Sequence, residues 1–196
     1  MAFSDNIWWT RKSKIQAERR LLSNAFQAQV VLLWYSFAGV AASVYYLKFS
    51  LSDSDMSGIA WVVYSVLVLC MSGFINGLSF KQRAGLIKEC YETLNDVYQR
   101  FRKFEAGTTP SVTFEELSAE YDQILGVCEN HLTIDYYLAQ CEAYLTTPKE
   151  NRNNLDKKPT PYIWICTAWH ITKRCLMMAF FYLLPVLVFI LLECMA

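Results

Sequence analysis

The chain has 196 residues, with 18 Lys+Arg balanced by 18 Asp+Glu. This even balance excludes a globally basic nucleic-acid binder and a globally acidic chain. The 54% hydrophobic and 15% aromatic content exceeds what an ordinary soluble domain carries. The length allows one domain, or a small domain plus membrane spans.

The N-terminal stretch "IWWTRKSKIQAERR" (7–20) pairs two tryptophans with five cations. At 100° per residue Trp8, Ile15 and Leu22 align. Arg11, Lys12 and Arg19 lie near that line and Lys14 and Arg20 lie elsewhere, so charge surrounds the helix. An in-plane amphipathic helix is disfavoured. The segment is expected to rise into the next one as a single helix. Its tryptophans would sit at head-group depth, and its cations would meet lipid head groups or an acidic part of the same chain.

No charge occurs for 27 residues after Arg20, for 25 after Asp55, and for 18 after Arg174. A bilayer core requires about 20 apolar residues in a helix. Ala25–Leu47 and Met56–Phe80 are therefore read as transmembrane helices. Leu176–Leu192 is expected as a third, because it is apolar on every side. The first span is too long and begins too late for a cleaved signal peptide. Cations flank it at Arg11–Arg20, and Lys81, Arg83 and Lys88 follow the second span. The positive-inside rule thus predicts a multi-pass protein with its N-terminus in the cytoplasm.

Lys81 to about Thr172 reads as an all-helical cytoplasmic region, the first helix continuing straight out of the second span. Ile87, Cys90, Leu94, Val97, Phe101 and Phe104 alternate steps of three and four. Such a stripe suits a helical bundle better than an oligomeric coiled coil, without excluding the latter. "EAGTTPSV" (105–112) is a loop, and Thr113 with Glu116 forms a capping-box pattern. The next helix carries Leu117, Tyr121, Ile124 and Cys128 on one face. A short one carries Ile134, Leu138, Cys141 and Leu145. Residues 146–161, with three prolines, read as a long exposed loop. From Tyr162 one helix should run into the third span, where Pro185 is expected to kink it.

The domain organisation predicted is a basic juxtamembrane helix (1–24), a transmembrane hairpin (25–80), a cytoplasmic helical region (81–172) and a third transmembrane helix (173–196). The fold class is an all-α membrane protein. Ser111–Thr147 holds seven acidic residues and no Lys or Arg. These helices would either present a solvated acidic face or pair with the basic juxtamembrane segments. Seven cysteines show no disulfide-like framework; five of them, Cys90, Cys128, Cys141, Cys166 and Cys175, are expected in or near the reducing cytoplasm, and the odd count reads as free thiols.

Enzyme signatures are missing: no phosphate-cradling glycine loop, no G-x-S-x-G and no H-E-x-x-H. No catalytic, cofactor-binding or small-molecule substrate site is therefore expected. Cys128-x-x-His131 and Cys166-x-x-x-His170 have helical ligand spacing, but packing or capping accounts for them more simply than zinc, and no metal is expected. In the second span Gly58, Ser65, Ser72 and Ser79 recur every seven residues with Asn76 beside them. This stripe either packs on Ala38, Gly39, Ala42 and Ser43 of the first span or lines a pore in an oligomer. No charge lies inside either of the first two spans, which argues against an ion-coupled carrier.

Several stretches resemble the SLATT domains, the SMODS and SLOG-associating two-transmembrane effectors of bacterial conflict systems. They are "WWTRKSKIQAERRLL" (8–22), "WYS" (34–36), "NGLSFKQRAGLIKECYETLNDVY" (76–98), "ENHLTIDYY" (129–137) and "KKPTPYIW" (157–164). The similarity is to the subfamily encoded beside reverse transcriptases in phage-defence loci. It implies a membrane hairpin with a helical cytoplasmic portion, and an effector that stops the infected cell by damaging its membrane. A partner reverse transcriptase, or its nucleic-acid or nucleotide product, would trigger it. Trp8, Trp9, Arg11, Lys12, Glu18, Arg19 and Arg20 match the opening motif, and Glu129, Asn130, His131, Asp135 and Tyr136 the later one. A homo-oligomer that permeabilises or depolarises the membrane is the first functional expectation. A membrane anchor or adaptor that recruits a nucleic-acid enzyme is the second, and a membrane-embedded enzyme the weakest.

Overall fold

A computed structural model describes residues 3–49, 55–108 and 113–195. These form six α-helices with no strand among the described residues: α1 Phe3–Phe49, α2 Asp55–Gly77, α3 Phe80–Glu105, α4 Phe114–Val127, α5 Thr133–Thr146 and α6 Pro161–Met195. The all-α class follows. Three of the helices contain stretches long and apolar enough to cross a membrane, so the third apolar segment stands with the other two on length and composition.

The chain divides into two compact units. One comprises the residues up to Ser23 with Phe80–Ile171, the other Asn24–Ser79 with the remainder of α6 from Thr172. α1 is continuous from Phe3, so the basic segment and the first apolar segment are one helix.

In the first unit the N-terminal third of α1 runs antiparallel to α3. Ile7 packs with Val97, Phe101 and Leu117, and Ala17 and Leu21 pack with Ala84 and Ile87. The α3 stripe is buried from Ile87 to Phe101, with Phe104 half-buried, so the three-four spacing is an intrachain bundle core. Phe3 stands against Phe101, Phe114 and Tyr121 at ring-centroid distances of 4.8, 5.3 and 5.6 Å. Offset and edge contacts of this kind add to the area that the rings bury. Thr113 and Glu116 form the capping box: the Glu116 N–H donates to Thr113 Oγ1, and the Thr113 N–H donates to Glu116 Oε2. Pro161 opens α6, where its missing N–H costs nothing.

Several expectations are corrected. α3 does not continue straight out of α2. Gly77 ends α2, Leu78 and Ser79 interrupt the helix with Ser79 at φ 48, and α3 restarts at Phe80. Asn76-Gly77 is a weak helical pair, and serine is no helix promoter, so the break falls where propensity is lowest. On α1, where helical spacing marks no clean apolar face, the buried line is Ile7, Lys14 and Leu21, one residue before the aligned Trp8, Ile15 and Leu22. Ser13 and Ala17 flank it and let neighbouring backbones approach. The α5 stripe is rotated as well. Of its predicted residues Cys141 is buried and Ile134 and Leu138 are half-buried, but Leu145 is 61% exposed, and the buried face centres on Asp135, Ala139 and Ala143, with ion pairs from Asp135 and Glu142 helping to orient the helix. Residues 146–161 include a short 3-10 turn at Lys149–Asn154. The loop at 105–112 turns at Gly107, whose φ of 70° suits glycine; positions 109–112 lie outside the described residues.

The second unit packs α1, α2 and α6 together. Tyr64 of α2 stacks on Tyr35 of α1 and donates its hydroxyl to the Tyr35 carbonyl at 3.1 Å. The Tyr64 ring lies 3.2 Å from where a Cβ on Gly39 would stand, so glycine permits this approach. From α6, Tyr182 accepts the Trp34 indole N–H at its carbonyl (2.9 Å), and Glu193 accepts from the Tyr46 hydroxyl at 3.1 Å. Arg174 donates to Asn24 and Gln27, both at 2.9 Å. Pro185 lies inside α6. Most other large apolar side chains of these helices face outward, as lipid contact requires.

Candidate regulatory site

The N-terminal arm of α1 meets the segment from the end of α4 to the middle of α5. Arg20 grips Asp135 in a two-pronged pair, Nε to Oδ1 at 2.9 Å and Nη2 to Oδ2 at 3.1 Å. The Asp135 side chain is fully buried and that of Arg20 nearly so. Asp135 also accepts the Leu132 N–H at 2.9 Å, capping α5. One carboxylate therefore starts a helix and anchors α1. Its position in the first turn also suits the helix dipole.

One residue earlier on α1, Arg19 Nη1 reaches both oxygens of Glu142 at 2.8 and 2.9 Å, and Gln16 donates to the same carboxylate. This pair is solvent-exposed, and screening leaves such pairs worth little. Lys14 is wholly buried, and its Nζ donates to the Glu129 carbonyl at 2.8 Å. The Glu129 carboxylate accepts from Arg83 of α3, with Nε to Oε2 at 2.8 Å. Glu129 thus ties α1 through its backbone and α3 through its side chain. Trp9 packs edge-on against Tyr136 at 6.2 Å.

Burial pushes the Lys14 ammonium below the ordinary lysine range, with Glu129 partly opposing it. Burial, followed by the charge of Lys14, holds His131 below the usual histidine value. The Arg83 hydrogen bond holds Glu129 low. Burial would raise Glu142, but Arg19 outweighs it.

The two stretches that match SLATT motifs in sequence, 8–22 and 129–137, are thus partners in space across more than a hundred residues. A family model described as SMODS and SLOG-associating 2TM effector domain family 5 matches residues 2–191. The chain belongs to this family. Membership implies a membrane effector in defence systems. Curated proteins and solved structures provide no match.

In this SLATT protein the acidic helices are not a purely solvated face, since Asp135 and Glu142 pair with Arg20 and Arg19 of the basic segment. Of the opening-motif residues, Arg19 and Arg20 enter the contact directly. Trp9 is only 3% exposed, so protein rather than lipid head groups surrounds it. Trp8 lies under Lys12 at 5.4 Å. Arg11 keeps Nε buried without a hydrogen-bond partner among the described residues. Of the later motif, Glu129, Asp135 and Tyr136 make the contacts, His131 is half-buried beside Lys14, and Asn130 is exposed. Lys14, Gln16 and Arg83 were not singled out from sequence, although Lys14 sits seven residues from both Ile7 and Leu21, a spacing that marks a core position.

Cys128 is bonded to Cys90, contrary to the expectation of free thiols throughout, and is unavailable to a metal. The α3 and α4 stripes bring the two together, a proximity that spacing along the chain does not reveal.

On α2 the side turned to α1 and α6 carries Trp61 and Tyr64. Ser65 and Asn76 are exposed on the protomer and Ser72 is half-buried. Ser65 Oγ donates to the Trp61 carbonyl of its own helix at 2.9 Å. Gly58 lies in α2, and Ser79 lies at the break.

The pKa directions fix a pH dependence. His131 binds its proton less readily when folded, so stability is present above about pH 6.5 and falls as pH drops through that value. Glu129 and Glu142 are held low, so their contribution is present above about pH 4.3 and is lost below it. Denaturation midpoints measured between about pH 8 and pH 2 should show two descending steps. His131→Gln should remove the upper step alone.

Proposed function

We propose that the protein is a non-enzymatic effector of a bacterial anti-phage, abortive-infection system. In this reading it oligomerises in the inner membrane and permeabilises or depolarises it when a partner reverse transcriptase, or that enzyme's nucleic-acid product, displaces the clasp between α1 and α5. The N-terminus lies in the cytoplasm, as the flanking cations favour. The observation that supports this best is the placement of Ser65 and Asn76. Packing of α2 within the protomer uses Trp61 and Tyr64, leaving these polar groups on an outward side. Polar groups in lipid favour partners from another helix or a water-filled lumen. α1 links clasp and membrane segment without a loop, so a displaced arm moves the first apolar helix directly.

Membrane potential in cells expressing the chain with and without the proposed partner reverse transcriptase tests this. Depolarisation should require both, and changing Ser65, Ser72 and Asn76 together to leucine should abolish it. Unchanged depolarisation in that variant would assign the face to packing. A stable complex with the enzyme and no change in potential would favour the adaptor.

A further inference from the structure

We propose that Cys90 and Cys128 form a reversible dithiol–disulfide latch that sets how firmly the α4–α5 connection holds the clasp. The inference rests on the cytoplasmic placement of the first unit given above. A disulfide in a reducing compartment is rarely a permanent staple and is more often redox-responsive.

The bond is at the right place for this role. Cys128 is the residue directly after α4, and Cys90 is on the buried stripe of α3. The next residue, Glu129, holds both Lys14 of α1 and Arg83 of α3. The short connection from 128 to 132 is thus pinned by the disulfide at one end and by Asp135, through the Leu132 N–H, at the other. The α3–α4 pair does not depend on the bond. Val97, Phe101 and Leu117 join these helices toward their other ends, and Arg100 pairs with Glu120. Opening the bond should loosen residues 129–132 while sparing that core. The five remaining cysteines, Cys70, Cys141, Cys166, Cys175 and Cys194, are free.

The two sulfurs differ in access. Cys90 is only 4% exposed, whereas Cys128 is half-buried. A thiolate of a cellular dithiol attacks Cys128 Sγ, forming a mixed disulfide and expelling Cys90 as a thiolate, which takes up a proton. The donor's second thiol then attacks its own sulfur in the mixed disulfide and releases Cys128, which is protonated in turn. Two electrons and two protons pass from the donor dithiol, which leaves as a disulfide. The reverse exchange, with an oxidised disulfide donor, closes the latch.

The test uses the full chain in nanodiscs across a series of reduced-to-oxidised dithiothreitol ratios. Acid-quenched alkylation with peptide mapping reads the 90–128 linkage, and amide hydrogen exchange reads residues 129–137. The expected result is one two-electron transition, with exchange at 129–137 faster on the order of tenfold in the reduced form. Residues 94–101 should remain protected. Cys128→Ser should match the reduced form at every ratio. Absence of the linkage at all ratios, or equal exchange in both forms, would overturn the latch. An impermeant maleimide that reaches reduced Cys128 only from the periplasmic face would also overturn it, since the bond would then be a static staple. These readouts need no membrane leakage. An intact transition in a protein that never depolarises cells supports the latch and sinks the effector reading alone.

Discussion

Asp135→Ala should destabilise the first unit by about 3–5 kcal/mol, the usual cost of removing one member of a buried ion pair. The change strands the Arg20 guanidinium, whose side chain is 15% exposed, and releases the Leu132 N–H at the start of α5. Asp135→Asn separates the two effects, since its amide oxygen can still accept the Leu132 N–H but carries no charge. Chemical denaturation in detergent, followed by far-ultraviolet circular dichroism, measures the loss. Arg20→Ala with Asp135→Ala completes a double-mutant cycle, and a coupling energy near zero would show that the pair is held by neighbours instead. If the clasp keeps the effector quiet, cells carrying Asp135→Asn should also lose membrane potential without the partner enzyme. Normal potential in a variant that still inserts and folds would detach the clasp from regulation.

Phe101→Ala should cost a similar amount, about 3–5 kcal/mol, by a different route. Phe101 is completely buried and touches Phe3 and Phe114. Its removal opens a void where α1, α3 and α4 converge, and rigid helices close such voids poorly. The loss should be nearly independent of pH, because no charged group takes part in this contact. Measuring the variant at neutral and acidic pH checks that packing alone is lost. Leu94, fully buried on the same stripe, serves as a control: Leu94→Met should cost under about 1.5 kcal/mol, since volume is conserved.

What the sequence made legible was whatever depends on near neighbours. The α3 stripe, the Thr113–Glu116 box, the unbroken α1 and the long α6 all follow from spacing, capping and helix propensity over a few turns. Clustering of acid in residues 111–147 and of base before the first span left their pairing open beside a solvated acidic face. What remained hidden needs the third dimension. The rotation of α5 that buries Asp135 and exposes Leu145 is set by Arg19 and Arg20, more than a hundred residues away. Cys90 and Cys128 occupy ordinary stripe positions, and nothing local marks them as partners. Helical spacing aligns Trp8, Ile15 and Leu22 on α1 but, with cations all round, marks no contact face. The true contact line is one residue over, because Ser13 and Ala17 favour close approach and a lysine can fill a core position when a carbonyl receives it. Trp9 likewise reads as interfacial from composition, but its ring packs against Tyr136.

Lys14 also fixes the sliding position of α1. Apolar side chains such as Ile7 and Leu21 tolerate a shift by a helical turn, since one greasy groove resembles the next. A buried ammonium does not, because a displacement of about 5 Å along the axis carries it away from the Glu129 carbonyl into an apolar slot. The resting arrangement is therefore singled out among otherwise similar packings by one cation, as polar core residues do in coiled coils. In the proposed triggering, a shift of α1 would have to supply Lys14 with a new acceptor or expose it to water, and the switch would then be a jump between two discrete settings with nothing stable between them.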